Sequence, residues 1–183
     1  MSYLQTVKVD ENEFAPFADA RKAFGFIPNF YTAQTLRPDL IEAQVQLVGA
    51  ILIQEGSLSR KQKEYVFLVC SAANLSTYCV TAHCEIIRAL GIKGPEPERI
   101  AVDHLHADIP IADKQLLNFA LKLNRDSQKI GRGDIDALRK FGFTDVQILE
   151  AILVIGLAKF ANLVSAGLGA EPDFEPKTLP ARE

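Results

Sequence analysis

The sequence predicts an all-α fold. Three observations carry that prediction. Apolar residues recur at helical spacing along most of the chain, alternating strand-like runs are scarce, and two Ser/Thr-x-x-Gln capping boxes, Ser59 with Gln62 and Thr144 with Gln147, each stand before an apolar stretch. With 183 residues, 48% of them hydrophobic, the chain can bury a core of its own. A net charge of -3 and the lack of any Lys/Arg-rich run weigh against nucleic acid as a partner. The first residues are polar and acidic, unlike a signal peptide. Apolar runs such as residues 151–158 fall short of the roughly 20 residues a membrane span needs, so no membrane partner is expected. Three cysteines, an odd number, suit free thiols in a reducing compartment, and a cytoplasmic location follows.

The elements follow in order. Residues 15–24 read as a helix opened near Pro16 and closed by Gly25, followed by a turn with apolar anchors over 25–30. Pro38 and Asp39 open a second helix that runs through Leu52 and ends near Gly56. The helix after Ser59 carries Tyr65, Val66, Leu68 and Val69, is apolar on most faces, and is expected at the centre. Asn74, Leu75 and Ser76 interrupt it. The Ser76 hydroxyl is placed to cap a new helix over 77–90, stopped by Gly91. Residues 93–97 form a loop, and 104–113 are expected to be irregular, with His104 and His106 as solvated surface histidines. Further helices cover 114–124, 134–141 and the apolar stretch from Thr144 through Ala161.

A weak internal repeat is visible. Matching Glu64 to Glu150 gives an offset of 86 residues, and matching the two capping boxes gives 85. The first register sets Asn162, Ser165 and Gly169 opposite Ser76, Cys79 and His83, so neither thiol nor imidazole recurs. The expected organisation is one helical domain over 1–170, with a first repeat over about 36–92 that carries the chemistry and a second over about 114–170. An extended arm over 171–183 completes it, marked by prolines.

The chemistry concentrates between Glu64 and His83. Cys79 and His83 are four apart and share a helix face. Cys79 falls in the first turn after Ser76, where free N–H groups and the helix dipole favour a thiolate. His83 can take the thiol proton, and Glu64 can orient the imidazole or pass protons on. Tyr78 stands beside the thiol as a possible hydrogen-bond donor or a packing residue. A zinc site lacks a second close Cys/His pair, and no cofactor or metal is expected.

This pattern resembles the alkylhydroperoxidase D signature: Glu, eleven residues, Cys, two residues, Cys, three residues, His. The matching positions here are Glu64, Ser76, Cys79 and His83. The turn over 25–29, the small residues over 71–74 and the second half to Gly169 are similar to peroxidase-related members of the wider carboxymuconolactone decarboxylase superfamily. The resemblance implies an AhpD-like helical fold, homo-oligomers built on the motif helices, and reduction of hydroperoxides by a thiol. It assigns Cys79 as the peroxidatic thiol and Glu64 with His83 as proton relay.

The departure is Ser76, which stands where the family has its resolving cysteine. A hydroxyl cannot form a disulfide with a sulfenic acid. Cys84, five residues on, lies ~140° around the helix from Cys79 and cannot readily replace it. The expectation is therefore a one-cysteine mechanism with an external or neighbouring-subunit thiol as reductant, or a lost peroxidase activity. Two other readings remain: an acid–base enzyme of the decarboxylase type using Glu64 and His83, and a non-catalytic oligomeric scaffold.

Overall fold

The computed structural model describes residues 2–11 and 13–175. Its helices are α1 (Ala15–Phe24), α2 (Asn29–Thr32), α3 (Pro38–Val48), α4 (Arg60–Ala73), α5 (Thr77–Ala89), α6 (Pro97–Asp103), α7 (Ile111–Arg125), α8 (Arg132–Lys140) and α9 (Asp145–Leu168). A π turn (Gly49–Ile53) prolongs α3, a 3₁₀ turn (Ser127–Lys129) follows α7, and the described residues contain no strand. The fold is all-α, as the helical periodicity predicts.

Helix α4 is the hub and packs against α5, α6, α7 and α9. Its sequence dictates this. Tyr65, Val66, Leu68, Val69 and Cys70 together cover most of its circumference, and all are enclosed. A helix apolar on so many sides finds enough cover only inside. Its start is fixed by the Ser59 capping box: the Ser59 hydroxyl accepts from Gln62 N, and the Gln62 side chain accepts from Ser59 N. Even Lys63 is buried on this helix, its ammonium donating to the Gln54 carbonyl just past the π turn.

Four elements differ from the sequence expectation, the first being the short α2, which stands where only a turn was read. Helix α6 was not foreseen. It begins at Pro97, whose missing N–H costs nothing in a first turn, and it buries Ile100 and Ala101. Helix α7 starts at Ile111, inside a stretch expected to be irregular. Helix α9 runs on to Leu168 instead of stopping near Ala161. Asn162 and Ser165 suggest an end, but both face the interior with their hydrogen bonds made, and the helix stops at Gly169, whose φ is +62°. At 24 residues, α9 is by length and composition apolar enough to cross a membrane, contrary to the shorter run read from the sequence. Its inner face packs against α4, α5 and α7.

Two contacts tie the ends of this framework together. The Glu150 carboxylate of α9 accepts from the backbone N–H of Ser57 at 2.8 Å and of Leu58 at 2.7 Å, just ahead of α4. Residues 171–175 run back across the 26–30 turn without forming a helix. There Phe174 meets Phe26 edge to face, and the Asp173 carboxylate accepts from Asn29 N. The rest of the arm expected over 171–183 lies outside the described residues.

Removing the Glu150 carboxylate leaves two backbone donors without their charged acceptor. Glu150→Ala is expected to lower unfolding free energy by about 2 kcal/mol, read from the urea midpoint with unchanged helical circular dichroism at zero denaturant.

Candidate active site

One stripe of α4 builds the site: Arg60, Glu64, Phe67, Ser71 and then Asn74 at its C-cap recur at spacings of four and three. Residues so spaced share a helix face, and this face meets α5 and α9. Glu64 is fully enclosed. Its two oxygens are used separately: Oε1 accepts from Arg60 Nε at 2.6 Å, and Oε2 lies 2.6 Å from His83 Nδ1 on α5. The His83 ring stacks on Phe67, centroids 3.8 Å apart and planes inclined by 22°. The imidazole is thus held by a carboxylate at one nitrogen and an aromatic face beneath.

Burial alone would raise the Glu64 pKa, but His83 and Arg60 outweigh it and hold this carboxyl below the usual carboxylate range. A bare carboxylate in such a place would cost several kcal/mol, so Arg60 and His83 are conditions of the fold as well as parts of the site.

Cys79 sits in the first turn of α5, also buried. Its Sγ lies 3.9 Å from Ser165 Oγ of α9, and Ser165 Oγ is 3.4 Å from Ser76 Oγ. Ser165 donates to the Asn162 carbonyl, and the Asn162 amide donates to Ser71 Oγ at 3.0 Å. Farther along, Asn74 donates to Asn162 Oδ1 and exchanges bonds with Asn124. The thiol therefore faces a cluster of hydroxyls and amides contributed largely by the second half of the chain. Burial pushes the Cys79 thiol up, and Ser76, Asn162 and Ser165 pull it only part of the way back. The helix start was expected to favour the thiolate, but burial outweighs the side-chain contacts and shifts the group toward the thiol.

The residues singled out from the sequence fall into two clusters. Glu64 and His83 are joined directly. Cys79 and Ser76 meet around Ser165, and no hydrogen bond links Cys79 to His83 among the described residues. Ser76 occupies the N-cap of α5, but its hydroxyl turns to Ser165 instead of capping the helix. Tyr78 directs its phenol away from the thiol: it donates to the Asp173 carboxylate and accepts from Phe30 N at 3.1 Å. Burial and Asp173 raise its pKa, so the phenol stays protonated. His104, expected at the surface, is buried and pairs with Asn118, while His106 pairs with Asp103. Arg60, Phe67, Ser165 and Asn162 were not assigned to the site beforehand. Arg60 and Phe67 were legible as i−4 and i+3 neighbours of Glu64, and Ser165 as the residue opposite Cys79 at an offset of 86.

Residues 38–102 match the carboxymuconolactone decarboxylase family, a span that includes Glu64, Ser76, Cys79 and His83. The fold is similar over nearly its whole length to a solved structure from Ralstonia eutropha JMP134, described as an alkylhydroperoxidase AhpD core and an uncharacterized peroxidase-related protein. The two are 28% identical with a TM-score of 0.87, covering 94% of this chain and 92% of that one. An uncharacterized peroxidase-related protein from Silicibacter sp. TM1040 is 24% identical with a TM-score of 0.87, covering 96% and 93%. The debrominase Bmp8, solved as a cysteine-to-alanine variant with 2,3,4-tribromopyrrole, shares the fold at 17% identity and a TM-score of 0.79, covering 94% of each chain. No curated protein matches significantly. The family match over residues 38–102 and the likeness in fold at 28% identity support the AhpD-like, carboxymuconolactone decarboxylase superfamily.

Two outcomes are expected of the site as described. The folded state prefers ionised Glu64, so its stabilising effect is present above the unfolded carboxyl pKa of about 4.3 and is lost as pH falls through the lower folded value. Glu64→Gln should therefore unfold at lower urea than wild type at neutral pH, with the gap closing in acid. Ser165→Ala should slow alkylation of Cys79 by iodoacetamide roughly 3- to 10-fold at fixed pH, the worth of one hydrogen bond to the sulfur. Mass spectrometry of the Cys79 peptide provides the rate.

Proposed function

We propose that this chain reduces hydroperoxides through Cys79, with Glu64 and His83 as the proton relay. The observation that carries the reading is the buried 2.6 Å bond between Glu64 and His83, with Cys79 one helical turn before the imidazole. A fully buried carboxylate is costly to keep for packing alone. It earns its place if it orients the imidazole and stabilises the protonated ring during proton transfer. The likeness to a peroxidase-related protein at 28% identity supports the same class.

In the proposed cycle the Cys79 thiol gives its proton to His83 as a hydroperoxide enters. The sulfur attacks the terminal peroxide oxygen, the O–O bond breaks, and His83 returns the proton to the departing alkoxide. Sulfenic acid and an alcohol result. Because the resting thiol is protonated by burial, the relay is needed at the first step. Ser76 cannot supply a second sulfur, and Cys70 is buried with its thiol pushed up to about 12. One external thiol condenses with the sulfenic acid and releases water. A second thiol then displaces Cys79 from the mixed disulfide. A reducing compartment such as the cytoplasm supplies such thiols and suits three free cysteines.

One observation favours a second reading. Arg60 reaches Glu64 while remaining 30% exposed, which puts a cation where a carboxylate substrate could be held. An acid–base enzyme of the decarboxylase type would use Arg60, Glu64 and His83 and would not need the thiol.

Substitution separates the two. Cys79→Ser should lose hydroperoxide consumption and dimedone-trapped sulfenic acid, and retained turnover would remove the thiol mechanism. Ser76→Cys should form an intramolecular disulfide with Cys79 after one equivalent of peroxide, seen as a mass loss of two hydrogens. In the acid–base reading Cys79→Ser stays active and His83→Ala does not.

A further inference from the structure

We infer that the hydroxyls of Ser76 and Ser165 form a seat for the terminal oxygen of a hydroperoxide, with Ser76 as its hydrogen-bond donor and Ser165 as its acceptor. The inference rests on the reaction proposed above and adds two substrate-binding residues to it. Ser76 stands where the signature this chain resembles has a resolving cysteine, and the proposed cycle leaves it without a role. It is 7% exposed at the N-cap of α5, yet its hydroxyl does not cap the helix. A buried hydroxyl that forgoes its local partner is available for another one.

The polar cluster beside Cys79 is satisfied unevenly. Asn162 is engaged at both ends of its amide: Nδ2 donates to Ser71 Oγ at 3.0 Å, and Oδ1 accepts from Asn74 at 2.8 Å. Ser165 donates to the Asn162 carbonyl at 3.1 Å. A hydroxyl has one proton and two lone pairs, so Ser165 meets Ser76 as an acceptor and Ser76 is the donor between them. At 3.4 Å that contact is the longest of these four, and little is lost when the Ser76 hydroxyl turns elsewhere. Tyr78 does not compete for the place, because its phenol is bonded to Asp173 and Phe30 N.

The distances suit an oxygen on the sulfur. Cys79 Sγ lies 3.9 Å from Ser165 Oγ, so an oxygen bonded to Sγ and inclined to that side comes within hydrogen-bond distance of Ser165. Ser76 reaches the sulfur too, since it acts on the thiol together with Ser165 and Asn162. As Sγ attacks, the terminal peroxide oxygen forms the S–O bond and keeps its own hydrogen. The O–O electron pair leaves with the departing oxygen, which takes its proton from His83. Ser76 donates to the oxygen under attack, and Ser165 accepts the hydrogen that oxygen carries. The same two bonds then hold the sulfenic hydroxyl until a thiol reduces it. An attacked atom that both accepts and donates a hydrogen bond is the mark of a hydroperoxide. The carbon of an alkyl halide and the sulfur of a disulfide carry no such hydrogen.

Two rate constants of Cys79 test the inference on the full chain at one fixed pH. One is oxidation by hydrogen peroxide, followed as dimedone-trapped sulfenic acid. The other is alkylation by iodoacetamide, and mass spectrometry of the Cys79 peptide reads both. Whatever a substitution does to the thiol acts on both rates, so their ratio isolates the contacts to the peroxide oxygen. Ser76→Ala should lower the ratio of oxidation to alkylation roughly tenfold, the worth of one buried hydrogen bond. Ser76→Thr keeps a hydroxyl and should hold the ratio within about threefold of wild type. Ser165→Ala should lower the ratio as well, in addition to slowing alkylation. An unchanged ratio in Ser76→Ala would overturn the inference alone, as would a fall in Ser76→Thr as deep as that in Ser76→Ala. A wild type whose Cys79 stays unoxidised under peroxide would overturn the proposed reaction and the inference together.

Discussion

The arrangement depends on one ionised carboxylate held without water. Glu64 lies at the centre of the molecule, and its charge is tolerable only because Arg60 reaches it from one turn earlier and His83 from the next helix. That requirement fixes the register of α4 against α5, since a rotation of either helix would leave the charge unpaired. The same requirement holds the imidazole in a single orientation against Phe67. Folding and the chemistry available at the site are set by the same bonds.

A second constraint comes from α9. This helix completes the wall around Cys79 with Ser165 and Asn162, and it steadies the approach to α4 through Glu150. The first half supplies thiol, imidazole and carboxylate. The second supplies polar contacts that adjust the thiol and anchor the linker between α4 and α5. The contact between Cys79 and Ser165 joins positions 86 apart, the separation that also relates Glu64 to Glu150, yet the two carboxylates serve different ends. One is buried beside a histidine, and the other binds two backbone donors.

Much of this was legible in the sequence, for reasons that can be named. Capping boxes at Ser59 and Thr144 and the glycine at 25 are local signals, and each marks a helix end in the structure. The four-residue step from Cys79 to His83 and the charge of Glu64 in an apolar helix pointed to the site. What escaped depended on burial. Asn162 and Ser165 look like surface residues until α4 and α5 enclose them. The Ser76 hydroxyl has a local partner and a distant one, and the distant one prevails. The Cys79 thiol receives three favourable polar contacts and a larger penalty from desolvation, a balance that spacing cannot weigh.

The enclosure of Cys79 acts as a size filter. With only 3% of this residue reached by solvent, small oxidants and alkylating agents have access that a thiol carried on another protein does not. A bulky redox partner would first have to separate α5 from α9, breaking the Ser76, Ser165 and Asn162 contacts. In the folded state, then, only small reagents reach this sulfur.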